Sequence, residues 1–173
     1  MAVNQDQLKF IIQRFDTYIS SANTKGAFLL AFNTFLCGGL LTNYKTLSTL
    51  IDPDFSVYLK MGILLIIIAG VASLVIVLLA VYPFLKSGNS SLSKYHSLIY
   101  FGSVSAFETP EKYIEALKIQ ENEDCYIDLC KQIHQLAKGL RKKYKQLEWA
   151  TKIIFLQLAI VVFIIAFIIC NSL

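Results

Sequence analysis

Hydrophobic positions along this chain form two patterns that run into one another. Between Gln5 and Lys25, the residues Leu8, Ile11, Ile12, Phe15, Ile19 and Ala22 recur at steps of three and four, the spacing of one helix face. Lys9, Asp16, Ser20 and Asn23 fall on the other side. The apolar stripe continues through Gly26, Leu29, Leu30 and Asn33 while the polar face gives way to apolar residues. This predicts one unbroken helix whose packed face stays constant while its outer face passes from water to lipid. The far end of the chain repeats the arrangement. Tyr126, Leu129, Cys130, Ile133, Leu136, Ala137, Leu140, Tyr144 and Leu147 make a broad stripe. The acidic start at Glu121, Glu123 and Asp124 suits a helix N-terminus. With Gly139 the only weak point, the spacing predicts a helix from Asp124 to Cys170, roughly 70 Å long at 1.5 Å per residue. Trp149 stands where its apolar part begins, a position that favours indole.

Between these helices the pattern is broken. Asp52-Pro53-Asp54 is a turn signal, and Lys86–Lys94 (KSGNSSLSK) is a Gly/Ser-rich loop. Tyr95, Leu98, Ile99, Tyr100 and Phe101 form an aromatic-rich cluster closed by Gly102, and Ser103 to Phe107 reads as a loop or short helix. Thr109 then caps a helix with Pro110 at its first position and Glu111 beside it. That helix extends to about Gln120 and packs through Tyr113, Ile114 and Leu117.

Charge placement turns the pattern into an architecture. No Asp, Glu, Lys or Arg occurs from Gly26 to Tyr44, from Met61 to Leu85, or from Ile153 to Leu173. Each run is about as long as the ~20 residues a helix needs to cross a bilayer. The fold class expected is therefore an all-α membrane protein: three transmembrane helices and a small cytoplasmic helical bundle, with the first and last spans continuous with cytoplasmic helices. The segments are residues 1–24 (cytoplasmic amphipathic helix), 25–44 (first span), 45–60 (external loop), 61–85 (second span), 86–150 (cytoplasmic helical sensor region) and 151–173 (third span). The composition agrees, with 55% hydrophobic residues but only 16% charged and a mean hydropathy of +0.56. The first span is preceded by a long polar lead, so it is not a signal peptide. Lys and Arg gather in the lead and in the segment between Lys86 and Lys152. By the positive-inside rule the N-terminus is cytoplasmic and the C-terminus lies outside. The net charge of +4 is mostly this bias and does not point to nucleic acid.

The chemistry on offer is spare. Cys37 and Cys170 fall in spans and Cys125 and Cys130 in the cytoplasmic segment, where thiols stay reduced. Cys130 and His134 are four apart, but no second ligand pair accompanies them, so helix packing is the reading and no metal is expected. No nucleophile elbow, zincin, P-loop or Rossmann motif is present, so the chain is not read as an enzyme and no cofactor is expected. Asn33, an amide on the packed stripe inside a span, is either an interhelical or oligomer contact or a locally satisfied structural residue. The run Arg141-Lys142-Lys143-Tyr144-Lys145 can hold the helix at anionic lipid, set topology, or bind a phosphate. Arg141 and Lys145 share a helix face, while Lys142 and Lys143 lie on other sides.

Three stretches together resemble a known family: FDTYISSANTKGAFLL (Phe15–Leu30), SLIYFGSVSAF (Ser97–Phe107) and KKYKQLEWA (Lys142–Ala150). In motif order and topology the chain is similar to the transmembrane effectors of Pycsar anti-phage systems. The resemblance implies a ligand, 3′,5′-cyclic CMP or cyclic UMP, made by a partner pyrimidine cyclase on infection. It also implies damage to the bacterial inner membrane that halts growth, or abortive infection. A cyclic mononucleotide needs a cation or backbone amides for phosphate, a polar side chain for ribose or base, and an aromatic for stacking. The candidates for these roles are Asp16, Asn23, Lys25, Tyr100, Phe101, Gly102, Arg141 and Lys145. Asp16 and Lys25 do not share a face of their helix. Three spans are too few for a pore, so a homo-oligomer is expected. The rival readings are a nucleotide-independent holin-like or toxin-type protein and a membrane scaffold that docks a cytoplasmic partner.

Overall fold

The computed structural model describes residues 4–51, 53–82 and 97–171. The Lys86–Lys94 loop, Tyr95 and His96 lie outside the described residues. Six helices are described: α1 (Gln5–Thr42), α2 (Tyr44–Thr49), α3 (Ser56–Val81), α4 (Phe101–Val104), α5 (Pro110–Ile119) and α6 (Asn122–Asn171), with a 3-10 turn at Pro53–Phe55. The all-helical expectation holds, and three of the helices, α1, α3 and α6, are long and apolar enough to cross a membrane.

Local chemistry sets the ends of α1. Asn4 and Gln7 form a reciprocal cap: Asp6 N donates to Asn4 Oδ1 at 3.1 Å, and Asn4 N donates to Gln7 Oε1 at 3.0 Å. At the far end, Asn43 Nδ2 donates to Gly39 O at 2.8 Å and Thr42 Oγ1 to Gly38 O at 3.0 Å, covering carbonyls the helix leaves open. The stretch beyond is more ordered than a plain loop. It holds α2 and the 3-10 turn, and α3 begins at Ser56. The reason is apolar burial: Ile51, Leu59 and Ile63 form a buried cluster against Tyr44, Leu47, Ile164, Phe167 and Ile168. Thr109 Oγ1 accepts from Lys112 N at 3.4 Å at the start of α5, where Pro110 was expected to open a helix.

The chain forms two compact units. The first comprises Met1–Ser20 and Pro83–Lys142, the second Ser21–Tyr82 and Lys143–Leu173. Both α1 and α6 supply residues to each. In the first unit, Leu8 and Leu129 are buried, and so is a polar knot around Asp128. Ser97 Oγ donates to Asp128 Oδ2 at 2.8 Å, and Gln132 Nε2 donates to Ser97 Oγ at 2.9 Å. Ser97 Oγ also accepts from Tyr100 N at 3.0 Å, which fixes the turn leading into α4. Tyr113 Oη donates to Leu98 O at 2.9 Å, tying α5 to the same turn.

In the second unit, α3 contributes Leu59, Ile63, Ile66, Gly70, Ser73, Val77 and Ala80 as one buried stripe, spaced by three and four residues as helix packing requires. Its partners on α6 include Leu147, Ala150, Ile154 and Gln157. The outward side chains are large and apolar: Phe35 is 79% exposed and Phe163 72%. In water such a surface would drive association, whereas in a bilayer it is the expected lipid-facing coat.

Candidate functional site

The polar end of the second unit gathers cations around the point where α3 stops. Tyr82 N closes the helix by donating to Leu78 O at 2.9 Å. Among the described residues the next carbonyls have no helical donor, and they carry the negative end of the helix dipole. Lys143 of α6 fills that gap. Its Nζ donates to Ala80 O at 2.6 Å, to Val81 O at 3.3 Å and to Tyr82 O at 3.4 Å. It also reaches Asn23 Oδ1 on α1 at 3.2 Å. The side chain is only 7% exposed, and among the described residues it makes no salt bridge. Lys143 precedes the uncharged run that starts at Ile153, and burial pulls its ammonium below the ordinary lysine range.

Lys143 occupies a place that pattern reading assigns to an apolar residue. The buried α6 positions run Asp128, Leu129, Gly139, Lys143, Leu147, Ala150, Ile154 and Gln157. Counting threes and fours back from Leu147 lands on 143, so the register could have shown that this lysine points inward. The i, i+4 pair Arg141 and Lys145 drew the attention instead. Both are exposed.

Beside Lys143 lie two more groups suited to a nucleotide. Lys25 Nζ sits 5.7 Å from the centroid of the Tyr144 ring, a cation–π arrangement on the surface. Asn23 is half-buried and keeps its amide nitrogen while its oxygen accepts from Lys143. The second unit thus brings together Asn23, Lys25, Lys143 and Tyr144, with Lys145 one residue further on. Lys143 and Tyr144 belong to the basic run noted in the sequence but were not among the ligand candidates drawn from it.

The other candidate ligand residues belong to the first unit, and Asn33 to the second. Asp16 and Arg141 are exposed there. The rings of Tyr100 and Phe101 meet at a tilt of 46° with centroids 4.8 Å apart, and Phe101 is 64% exposed. Tyr100 Oη is buried without a partner among the described residues. Gly102 was expected to let a ligand approach the backbone, but a Cβ there would stand 2.6 Å from the Tyr100 ring, so the glycine makes room for that ring. Asn33 is buried and reaches across helices, donating through Nδ2 to Gly70 O at 2.7 Å.

Cys130 and His134 line a shallow hollow on one side of α6 with Tyr126, Ile127, Lys131 and Gln135. No group of three side chains able to hold a metal occurs among the described residues.

Fold and site together define a membrane protein with three candidate spanning helices, a second helical unit, and buried positive charge where a spanning helix ends. A family model described as the Pycsar effector protein domain matches residues 7–170, and the chain belongs to that family. It is accordingly a membrane effector of anti-phage defence, in a family tied to a cyclic nucleotide signal from a partner cyclase and not known for enzymatic activity. No curated protein and no solved structure matches the chain.

Proposed function

We propose that the chain binds a 3′,5′-cyclic pyrimidine mononucleotide, cyclic CMP or cyclic UMP, at the Lys143 cluster, and that binding makes a homo-oligomer of the chain permeabilise the bacterial inner membrane. The observation that carries this is Lys143, a buried ammonium whose hydrogen bonds go to neutral oxygens. A phosphate is a better partner for it, because its negative charge adds Coulomb attraction to the hydrogen bond, whereas the carbonyls offer only dipoles. Lys25 adds a second cation, Tyr144 an aromatic face, and Asn23 an amide that can read ribose or base. Lys145 contributes long-range attraction for the anion.

Binding here has a built-in consequence. A phosphate that engages Lys143 draws it from Ala80, Val81 and Tyr82, leaving the end of α3 without its donor. The resting arrangement loses a restraint in the same step that gains the ligand. This supplies the differential affinity without which no ligand shifts an equilibrium. The N-terminus is cytoplasmic and the C-terminus periplasmic in this reading, because most Lys and Arg lie before the first span and between the second and third, while the loop between the first two carries only Lys45 and Lys60.

The test is membrane potential, followed with a voltage-sensitive dye in cells that express the chain with and without a co-expressed pyrimidine cyclase. Depolarisation only with the cyclase supports the proposal. Depolarisation without it supports a nucleotide-independent, holin-like protein. A polarised membrane in both cases, with the chain present in the membrane fraction, supports a scaffold.

A further inference from the structure

The middle of the three-helix unit holds a feature that a resting bundle does not need. Asn33 of α1, Ser73 of α3 and Gln157 of α6 are 2%, 0% and 0% exposed, one from each candidate spanning helix. Asn33 and Gln157 meet at Gly70, and Ser73 follows three residues further along the same buried stripe of α3. Gln157 Nε2 donates to Asn33 Oδ1 at 3.2 Å and to Ile66 O at 3.0 Å. Ser73 Oγ donates to Ala150 O at 3.3 Å. A Cβ at residue 70 would stand 2.4 Å from Cys37 Sγ and 3.0 Å from Gln157 Nε2, so only glycine leaves room for the layer. Gln157 Oε1 is buried and has no donor among the described residues. Apolar clusters flank the layer along α3, with Val77 and Ala80 on one side and Leu59 and Ile63 on the other.

Interhelical hydrogen bonds of Asn33 and Gln157 help to hold three helices together in lipid, but the buried Gln157 Oε1 without a donor among the described residues carries a cost that an apolar layer of the same volume would avoid. Polar side chains inside membrane helices characteristically line paths for solutes. We infer that Asn33, Ser73 and Gln157 become the lining of an ion path when α1, α3 and α6 part within the homo-oligomer and several copies turn these side chains to a common centre, and that it carries small hydrated monovalent ions. In the resting unit the flanking apolar clusters keep water out. Once the helices separate, neutral amides and a hydroxyl offer both donors and acceptors, so they accommodate the hydration shells of cations and anions alike. A weakly selective path of this kind collapses membrane potential. The inference rests on the proposed permeabilising function but not on the identity of the trigger.

The experiment uses the full chain in liposomes under a KCl gradient, with 3′,5′-cyclic CMP or cyclic UMP added separately. The reversal potential of the resulting flux is compared for wild type, Gln157→Glu and Asn33→Asp. In parallel, Cys37, whose Sγ lies 3.5 Å from Asn33 Oδ1, serves as a native reporter. Cys125, Cys130 and Cys170 are replaced by serine, and labelling with a charged, water-soluble thiosulfonate is timed. The expected result is at least a fivefold rise in cation-over-anion permeability for either acidic variant. Cys37 labelling should accelerate at least tenfold on activation. Nucleotide-evoked flux with unchanged selectivity and a protected Cys37 overturns the lining and leaves the nucleotide response standing. Basal flux that ignores both nucleotides yet changes selectivity with Gln157→Glu overturns the nucleotide reading and supports the lining. No flux under any condition overturns both.

Discussion

Lys143 shows how one side chain can serve two partners. Its ammonium is satisfied by carbonyls at the end of α3 and by Asn23, but it is held in a buried place that disfavours its charge. Lys143→Met takes the donor from the carbonyls at the end of α3, at a cost of about 1–3 kcal/mol, but it leaves the backbone hydrogen-bond ladder of every helix whole. Lys143→Met is therefore expected to keep native helix content by circular dichroism. Nucleotide affinity measured by calorimetric titration should fall at least about tenfold, the equivalent of one lost charged hydrogen bond. Equal binding by Lys143→Met and wild type would remove Lys143 from the site. Lys25→Ala tests the weaker neighbour. Its contact with Tyr144 is exposed and contributes only about 0.5–1 kcal/mol, so a loss of roughly two- to fivefold in affinity is expected, with thermal stability unchanged. Gly70→Leu addresses the mid-membrane layer. The added side chain collides with Cys37 and Gln157, and overpacking of this sort costs about 1–3 kcal/mol or more. A clear drop in melting temperature in detergent should follow.

Among the helices, α1 and α6 matter most, since each runs as one helix through residues of both units. Movement at one end of such a helix carries to the other only while its hydrogen-bond ladder is whole. Proline breaks that ladder at a cost of about 3 kcal/mol and kinks the helix. Ala22→Pro in α1 and Gln146→Pro in α6 are each expected to abolish cyclase-dependent depolarisation. Binding would be checked on purified protein. Because Ala22 is only 1% exposed while Gln146 is half-buried, Gln146→Pro is the gentler variant. Full membrane damage in Gln146→Pro cells would show that the helices need not be continuous to act.

For the molecule as a whole, the proposed topology places both the Lys143 cluster and the first unit on the cytoplasmic face. A reporter active only in the periplasm, fused after Leu173, should give activity, whereas the same reporter fused ahead of Met1 should not. The reverse pattern would put the cluster outside and end its role in sensing an intracellular nucleotide. Much of the architecture was legible beforehand. The absence of charge across three runs announced the spans, and the three-and-four spacing of Leu8, Ala22, Leu129 and Leu147 announced the helices. The site was less legible. Asp16, Tyr100, Phe101, Gly102 and Arg141 were chosen for residue type and closeness to the spans along the chain. They fall in a different unit from Asn23, Lys25 and Lys145, because proximity in sequence does not decide which packed faces share a unit.

Helix class and the number of candidate spans follow from the chain's own pattern, because hydrophobic spacing and charge exclusion act locally and survive in any arrangement of the helices, whereas the family rests on the match of its motifs along residues 7–170. The partners of the polar residues do not follow from it. Whether Lys143 meets lipid, water or the end of α3 depends on how α3 and α6 register against one another. The same holds for Gln157, whose burial beside Asn33 and Gly70 is set by the fit of three helices and appears in none of them alone. Tertiary packing decided these contacts because hydrogen bonds act over about 3 Å, a distance that only the assembled helices can bring about.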